Sequence, residues 1–433
     1  MSSAGSSGGG TRVTVPEAAT GPVDEAEAQQ SGVWSAAAGS GARTWMKSIR
    51  RQAGFARGYS PLYAAILDAL AGWLAPEQAD GPQAAVRTRF LAFAGGQAWD
   101  NDLEPILKLA AALHSFVLAG DPRVQSLRAY YLTVTPDGVV PGEGFAGDFS
   151  RALDALGDEL VQAARAWQIQ TNETGRGVVW LLPAALLQVE AAYLVELGAS
   201  AGLNLYADQR RFDLRWQDGA VVTLGHAEAP QFEVACEGPA PGEPLTLRAP
   251  EVLARVGADA RVVDLAAPGA ETQLAACVWG DQPQRMARLR EALALRRRYQ
   301  GTEQAARLVR AELPDDLEDF LRKAVPTQPV APVILFDTYV TAYFNDVAHG
   351  ALVRGVEAFA RPWTLRHRLP WLWVRFEPPR VGAPPQVGWC RWWVEVWTQG
   401  RRRTIELGWA HPHGMRAVFG PGLAELAALR GPE

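Results

Sequence analysis

The residues best suited to chemistry lie together at 193–205, Tyr-Leu-Val-Glu-Leu-Gly-Ala-Ser-Ala-Gly-Leu-Asn-Leu. An apolar run ends on the carboxylate of Glu196. A small-residue turn follows (Gly198, Ala199, Ser200, Ala201, Gly202), and a helix-compatible segment containing Asn204 comes next. A strand, a tight turn and a helix in that order make a cradle for a phosphate or a nucleoside. Glycine lets a ligand approach the backbone, and a helix start offers free N–H groups. The same residues spell Gly-x-Ser-x-Gly, the form of a serine-hydrolase nucleophile elbow. Cradle or nucleophile is the first functional question.

With its acid included, Glu196-x-Gly198-x-Ser200-x-Gly202 resembles the first motif of Rossmann-like methyltransferases, which bind S-adenosylmethionine. On that reading Glu196 sits near the ligand's amino group. Gly198, Ala199 and Gly202 form the turn and the close contact, and Ser200 caps a helix at 201–210. A second acid, at the end of the next parallel strand, takes the ribose hydroxyls. Arg255-Val-Gly-Ala-Asp259 supplies Asp259 for that role; a surface-turn carboxylate is the other reading of it. Such an acid, facing a cleft, is expected to contribute little to fold stability. The interval from Gly202 to Asp259 exceeds the roughly 20 residues usual in such folds. Asp218-Gly219, between short β-like runs at 211–216 and 220–224, signals a hairpin insertion near 211–250 that accounts for most of the excess.

The hydrolase reading rests on Ser200, Asp337 and His411 or His413, which follow the Ser…Asp…His chain order of α/β-hydrolases. Against it, the chain before residue 190 reads as helical, whereas that fold sets several strands before its elbow.

Other polar groups collect around these segments. Gln170-Thr171-Asn172-Glu173-Thr174-Gly175-Arg176 precedes an apolar helix at 177–189. If the next strand is central, this run returns to its carboxyl end, and Asn172, Glu173 and Arg176 face substrate; helix capping with a Glu173–Arg176 pair is the alternative. Asp337-Thr338-Tyr339, after the apolar run 333–336, puts Asp337 and Tyr339 where methyltransferases keep substrate-facing groups. His411 and His413, two apart, make no metal site without a third ligand. His114, beside the apolar face of a helix, reads as a satisfied core histidine.

Positioning these groups requires an α/β scaffold. Up to residue 190 the pattern is helical. Ser60-Pro61 is a cap and first-turn pair before Leu62, Ile66, Leu67, Leu70 and Trp73, and further helices carry Ile106–Val117 and Leu153–Ala164. Beyond it, strands at 193–197, 255–259, 332–336, 371–376, 389–398 and 404–409 alternate with helices at 201–210, 273–298, 303–324 and 346–360. This alternation predicts a doubly wound, mostly parallel sheet with an antiparallel end. Eight of the sixteen tryptophans fall between Trp363 and Trp409, where they are expected to pack the late hairpin.

Composition bounds the partners. A chain of 433 residues exceeds a usual single core, so a large α/β domain at 191–425 with a helical region at 44–190 is expected. Residues 1–43 contain no Leu, Ile, Phe or Tyr and read as a disordered tail. The net charge is −5, and Arg296–Arg298 and Arg401–Arg403 are short clusters rather than a nucleic-acid stripe. Cys236, Cys277 and Cys390 are odd in number and widely spaced, which fits a reducing cytoplasm. No apolar run reaches the roughly 18 residues of a membrane span, and the start lacks a signal-peptide layout.

Taken together, SPLY at 60–63, QTNETGR at 170–176, VELGASAGLNL at 195–205, RVGAD at 255–259 and VWGDQPQR at 278–285 resemble an uncharacterised bacterial family, the domain of unknown function numbered 2332. VILFDTYV at 333–340 and HPHG at 411–414 match more loosely. The resemblance covers residues 46–420 and implies a methyltransferase-like Rossmann fold with a helical N-terminal part. Relatives often carry histidine where this chain has Asp337. The expectation is a S-adenosylmethionine-dependent methyltransferase acting on a small molecule, with a non-catalytic nucleoside-binding protein as the alternative.

Overall fold

The computed structural model describes residues 41–75, 81, 83–95, 99, 104–170, 172–240 and 245–429. Apart from residues 41–43, the tail expected at 1–43 lies outside the described residues. The chain divides into two compact units. One runs to Trp167 and includes Trp279–Asp281; the other comprises Gln168–Val278 and Gln282 onward. The division therefore falls before the segment 177–189 expected as an apolar helix, whose helical part packs with the sheet.

The first unit is helical: α1 (Gly41–Ala56), α2 (Pro61–Trp73), α3 (Ala84–Gly95), α4 (Glu104–Ala119) and α5 (Phe145–Ala166), with a 3-10 turn at Pro122–Tyr130. α2 begins where Ser60 Oγ accepts the Tyr63 N–H and Pro61 takes the first turn. Its stripe of Leu62, Ile66, Leu67 and Leu70 shares one core with Phe90, Phe93, Ile106, Leu113, Phe149 and Leu160. Asp281 completes the cap: one carboxylate oxygen accepts the Ser60 hydroxyl at 2.6 Å and the other the Leu62 N–H at 2.8 Å. Trp279 stacks on Tyr63 with ring centroids 4.2 Å apart. The SPLY and WGD segments are thus one structural clasp. His114 is buried and its Nε2 lies 2.9 Å from Thr133 Oγ1, a satisfied core histidine.

The second unit carries, in chain order, α6 (Val178–Leu186), β1 (Ala191–Leu197), β2 (Arg211–Trp216), β3 (Val221–Gly225), β4 (Gln231–Glu237), β5 (Leu245–Leu247), β6 (Glu251–Asp259), α7 (Ala270–Ala276), α8 (Pro283–Arg298), β7 (Arg307–Arg310), α9 (Leu317–Ala324), β8 (Val333–Thr338), α10 (Asp346–His367), β9 (Trp371–Glu377), β10 (Cys390–Thr398), β11 (Arg401–Ala410), β12 (Arg416–Phe419) and α11 (Gly422–Ala428). The twelve strands of the described residues join one open sheet in the order β5-β3-β2-β4-β12-β11-β10-β9-β8-β1-β6-β7. Seven of the eleven neighbouring pairs are parallel, so the unit is a mixed α/β structure around a mostly parallel sheet.

Strands covered on both faces need apolar residues at nearly every position, which is why Val333-Ile-Leu-Phe336 is an unbroken run. Alternation then sorts the side chains. Leu194, Ile334, Phe336 and Val374 share a core with α6. Val195, Leu197, Val333, Leu335, Trp371 and Trp373 pack on the other face with α9 and α10. The late tryptophans mostly fill core; Trp371, Trp373, Trp392 and Trp397 are buried.

Several elements differ from the sequence-based expectation. Residues 201–210 form no α-helix: Gly202 sits at φ +68°, and a kinked 3-10 turn spans Asn204–Gln209. The Tyr206 hydroxyl holds that turn by accepting the Ala306 N–H at 2.7 Å. The region 211–250 is four strands that extend the sheet, rather than a lone hairpin. The helix expected at 273–298 is broken into α7 and α8, and that expected at 303–324 contains edge strand β7 before α9. α10 continues past residue 360 to His367.

Candidate functional site

Three left-handed residues within five, Gly198 (φ +74°), Ser200 (φ +48°) and Gly202 (φ +68°), build the turn after β1. The N–H groups of Gly198 and Ala199 both donate to Ala258 O, at 2.8 and 2.9 Å, tying the turn to the end of β6. The glycines are needed for this backbone and for packing. A Cβ on Gly198 would lie 2.3 Å from Val340 Cγ2, and one on Gly202 2.9 Å from Leu308 Cδ2. The space a side chain would need there is thus filled by the protein. Ala199 likewise packs against Gly257 of β6. Ser200 caps no helix. Its hydroxyl donates to Gln170 Oε1 at 2.9 Å and accepts from Asn172 Nδ2 at 3.0 Å.

Glu196 stands one residue before the end of β1, opposite Gly257 of β6 and Phe336 of β8. It is 2% exposed, and its Oε2 has no hydrogen-bond partner among the described residues. Burial, and then the neighbouring Asp259 carboxylate, push its carboxyl well above the usual range; a hydrogen bond with the Asn204 side chain opposes them. Asp259 also titrates high because of burial. Its two oxygens accept the N–H groups of Ser200 and Arg261, each at 2.8 Å. Asp259 is therefore part of the turn's own framework as well as a strand-end acid.

The polar run at 170–176 does come back to this strand end; Thr171 lies outside the described residues. Glu173 Oε1 accepts the Gly175 N–H, while Oε2 accepts Arg285 Nε at 2.7 Å and lies 3.3 Å from His413 Nδ1. Burial alone would raise the Glu173 pKa, but Arg285, His413 and Arg176 outweigh it and hold the carboxyl below its ordinary range. Burial and Arg285 depress His411 to about 4 and His413 to about 3, so both are neutral at pH 7. Arg176 Nε donates to Pro412 O at 2.7 Å, and its guanidinium lies 5.1 Å from the Tyr339 ring centroid. Tyr339, at φ +65° after β8, is pushed up to about 12 by burial and keeps its proton.

Asp337 is placed elsewhere. Its side chain shares the face of Val333 and Leu335, the face opposite Glu196, and is fully buried. It accepts from the Trp373 indole N–H and from Arg375 Nε at 3.4 Å. Burial, and then the charge of Asp337, push Glu377 well above its usual range. Glu377 in turn accepts the N–H groups of Val340 and Thr341 at 2.8 and 3.0 Å, fixing the loop after β8. Asp337 is thus a structural acid, and the expectation that it faces substrate beside Tyr339 is corrected by its position on the strand.

One end of the sheet therefore gathers Glu196, Ser200, Asn172, Asn204 and Asp259, with Glu173, Arg176 and Tyr339 in the adjoining cluster. The order Ser200, Asp337, His411 or His413 is not assembled into a triad: the Ser200 hydroxyl is engaged by Gln170 and Asn172, and Asp337 by Trp373 and Arg375. Sequence reasoning missed Gln170 and Arg285, although each lies within a recognised motif, and left His411 and His413 unassigned. Among the described residues no group of three or more His, Cys, Asp or Glu side chains is arranged to hold a metal ion. A family model described as an uncharacterized protein conserved in bacteria (DUF2332) matches residues 46–418. No curated protein and no solved structure matches the chain.

Proposed function

The chain belongs to the DUF2332 family of uncharacterised bacterial proteins, and we propose that it is a S-adenosylmethionine-dependent methyltransferase acting on a small molecule. Two features of the sheet support the reading. Numbered by their own chain order, the five consecutive parallel strands β7-β6-β1-β8-β9 run 3-2-1-4-5, the order of Rossmann-like doubly wound folds. In that order the winding reverses between β1 and β8, and ligands of such sheets bind outside the carboxyl ends of the strands at the reversal. Glu196 and Gly198 lie at the end of β1, and Thr338 and Tyr339 at the end of β8.

The observation that carries the proposal is the Glu196 Oε2 atom, buried at this position without a donor. Leaving a buried polar atom unpaired costs about 1–3 kcal/mol, which a ligand N–H or O–H would offset. Glu196 and Asn204 would hold one polar end of the nucleoside ligand. Asp259 has taken one backbone N–H on each oxygen and keeps acceptor capacity on both for hydroxyls. S-adenosylmethionine would supply the electrophilic methyl group. The protein's own contribution is to orient the two reactants and exclude water. Tyr339, protonated at neutral pH, serves as a donor and not as a base.

Thermal unfolding tests the reading. At about 100 times its dissociation constant, S-adenosylmethionine or S-adenosylhomocysteine should stabilise the fold by roughly 2.7 kcal/mol. No stabilisation by either at millimolar concentration would remove the proposal. Binding without methyl transfer to any acceptor would favour the non-catalytic nucleoside-binding alternative.

A further inference from the structure

Five arginines are buried among the described residues: Arg176, Arg210, Arg255, Arg285 and Arg375. Four have a carboxylate partner: Glu291 for Arg210 at 2.9 Å, Asp208 for Arg255 at 2.6 Å, Glu173 for Arg285 at 2.7 Å and Asp337 for Arg375 at 3.4 Å. Arg176 is the exception, with no carboxylate oxygen within 4 Å among the described residues. It is held by neutral groups instead. Nε donates to Pro412 O at 2.7 Å, Nη1 reaches Thr338 O at 3.5 Å, and the guanidinium lies by the Tyr339 ring. Nη2 donates to no acceptor among the described residues.

The guanidinium is largely withdrawn from water, with Nη2 the part that keeps solvent contact, and buried charges without a counter-charge are rare because desolvation is so costly. No surrounding acid provides it at contact distance. Glu173 is ion-paired with Arg285 and feels Arg176 only at longer range, Glu196 favours its neutral form, and Asp337 points to the other face of the sheet. One positive charge is left over at the end of β8, beside an aromatic ring and next to the strand end that carries the unpaired Glu196 oxygen.

We propose that Arg176 binds the carboxylate of a monoanionic small-molecule substrate, held at the end of β8 beside Tyr339. The word substrate rests on the methyltransferase reading; the anion site itself does not. A single surplus charge matches a carboxylate better than a phosphate, which carries up to two charges and draws several donors. The planar guanidinium fork suits a carboxylate and a phosphate alike, so it is the charge that distinguishes them.

The test uses the full chain, with acetate and benzoate as carboxylate probes and with inorganic phosphate and chloride at matched ionic strength. Melting temperature is read with and without saturating S-adenosylhomocysteine. Wild type should show a saturable rise with acetate or benzoate and none with phosphate or chloride. Arg176→Gln should weaken the carboxylate response at least tenfold while binding S-adenosylhomocysteine within a few-fold of wild type. Arg176→Lys, which keeps the charge without the fork, should fall between them and serves as the reading if the glutamine variant does not fold. The proposal is overturned if wild type shows no saturable carboxylate response, or if either variant responds as wild type does. It is also overturned if phosphate gives the larger effect, or if Arg176→Gln loses S-adenosylhomocysteine together with the carboxylate. A carboxylate response in a protein that binds no S-adenosylhomocysteine would end the methyltransferase reading and leave the Arg176 site standing.

Discussion

Glu196 and Asp259 are two acids on neighbouring strands, and burial raises the pKa of both. For Glu196 the consequence for stability has a definite sign. Its folded pKa lies above its unfolded one, so the folded state binds more protons between the two values. The stabilisation from the protonated form is complete below the unfolded pKa and is lost as pH rises through the folded one. Glu196→Gln, isosteric with the neutral acid, should therefore unfold less readily than wild type on the alkaline side and should flatten this part of the pH profile in chemical denaturation. A variant that tracks wild type at every pH would show that Glu196 ionises normally. Asp259 behaves differently, because its oxygens hold two backbone N–H groups. The expectation that it contributes little to the fold gives way: Asp259→Ala should cost about 1–3 kcal/mol in urea unfolding, and a loss below a few tenths would mean that water replaces it freely. The role of Asp337 was hidden for a related reason. Its apolar neighbours mark a buried strand, but the run alone does not say which face each side chain takes.

At the scale of elements, the turn after β1 is the feature on which the site depends. Gly198→Ala combines a left-handed backbone with a contact of 2.3 Å to Val340 Cγ2. It should destabilise by about 2–4 kcal/mol, from backbone strain and overpacking together. Gly219→Ala at the β2–β3 turn has a comparable backbone (φ +92°) but open space around it, and should cost only about 1–2 kcal/mol. Equal losses for the two would mean that Val340 moves aside without cost. Strands such as 193–197 and 333–336 were legible because burial on both faces leaves an uninterrupted apolar run. The helix expected at 201–210 was not, because distant groups decide that segment. Tyr206 is bonded to Ala306, and Gly202 packs on Leu308. β7 was illegible for the opposite reason: as an edge strand of Arg-Leu-Val-Arg it has no continuous apolar pattern.

For the whole molecule, the sheet gives the functional account its direction. The winding reverses beside β1, and the polar segments 170–176 and 411–414 return to that same end although they are more than 230 residues apart in the chain. That convergence was partly legible. The position of the run at 170–176 before an apolar helix and strand already returns it to the strand end, whereas the contact of Pro412 with Arg176 depends on the long return through β10 and β11. The three cysteines are free, and no helix among the described residues is long and apolar enough to cross a membrane. The central claim is that the strand ends around Glu196 and Asp259 hold S-adenosylmethionine. Titration calorimetry of the full chain with that ligand at neutral pH tests it most directly. The account predicts a saturable, one-to-one heat with micromolar or tighter affinity, weakened roughly 30- to 1000-fold in Asp259→Ala by the loss of about 2–4 kcal/mol of hydroxyl contacts, and altered no more than a few-fold in the nearby Asp264→Ala. An absence of heat at millimolar ligand, or a loss of affinity in Asp264→Ala but not in Asp259→Ala, would contradict it.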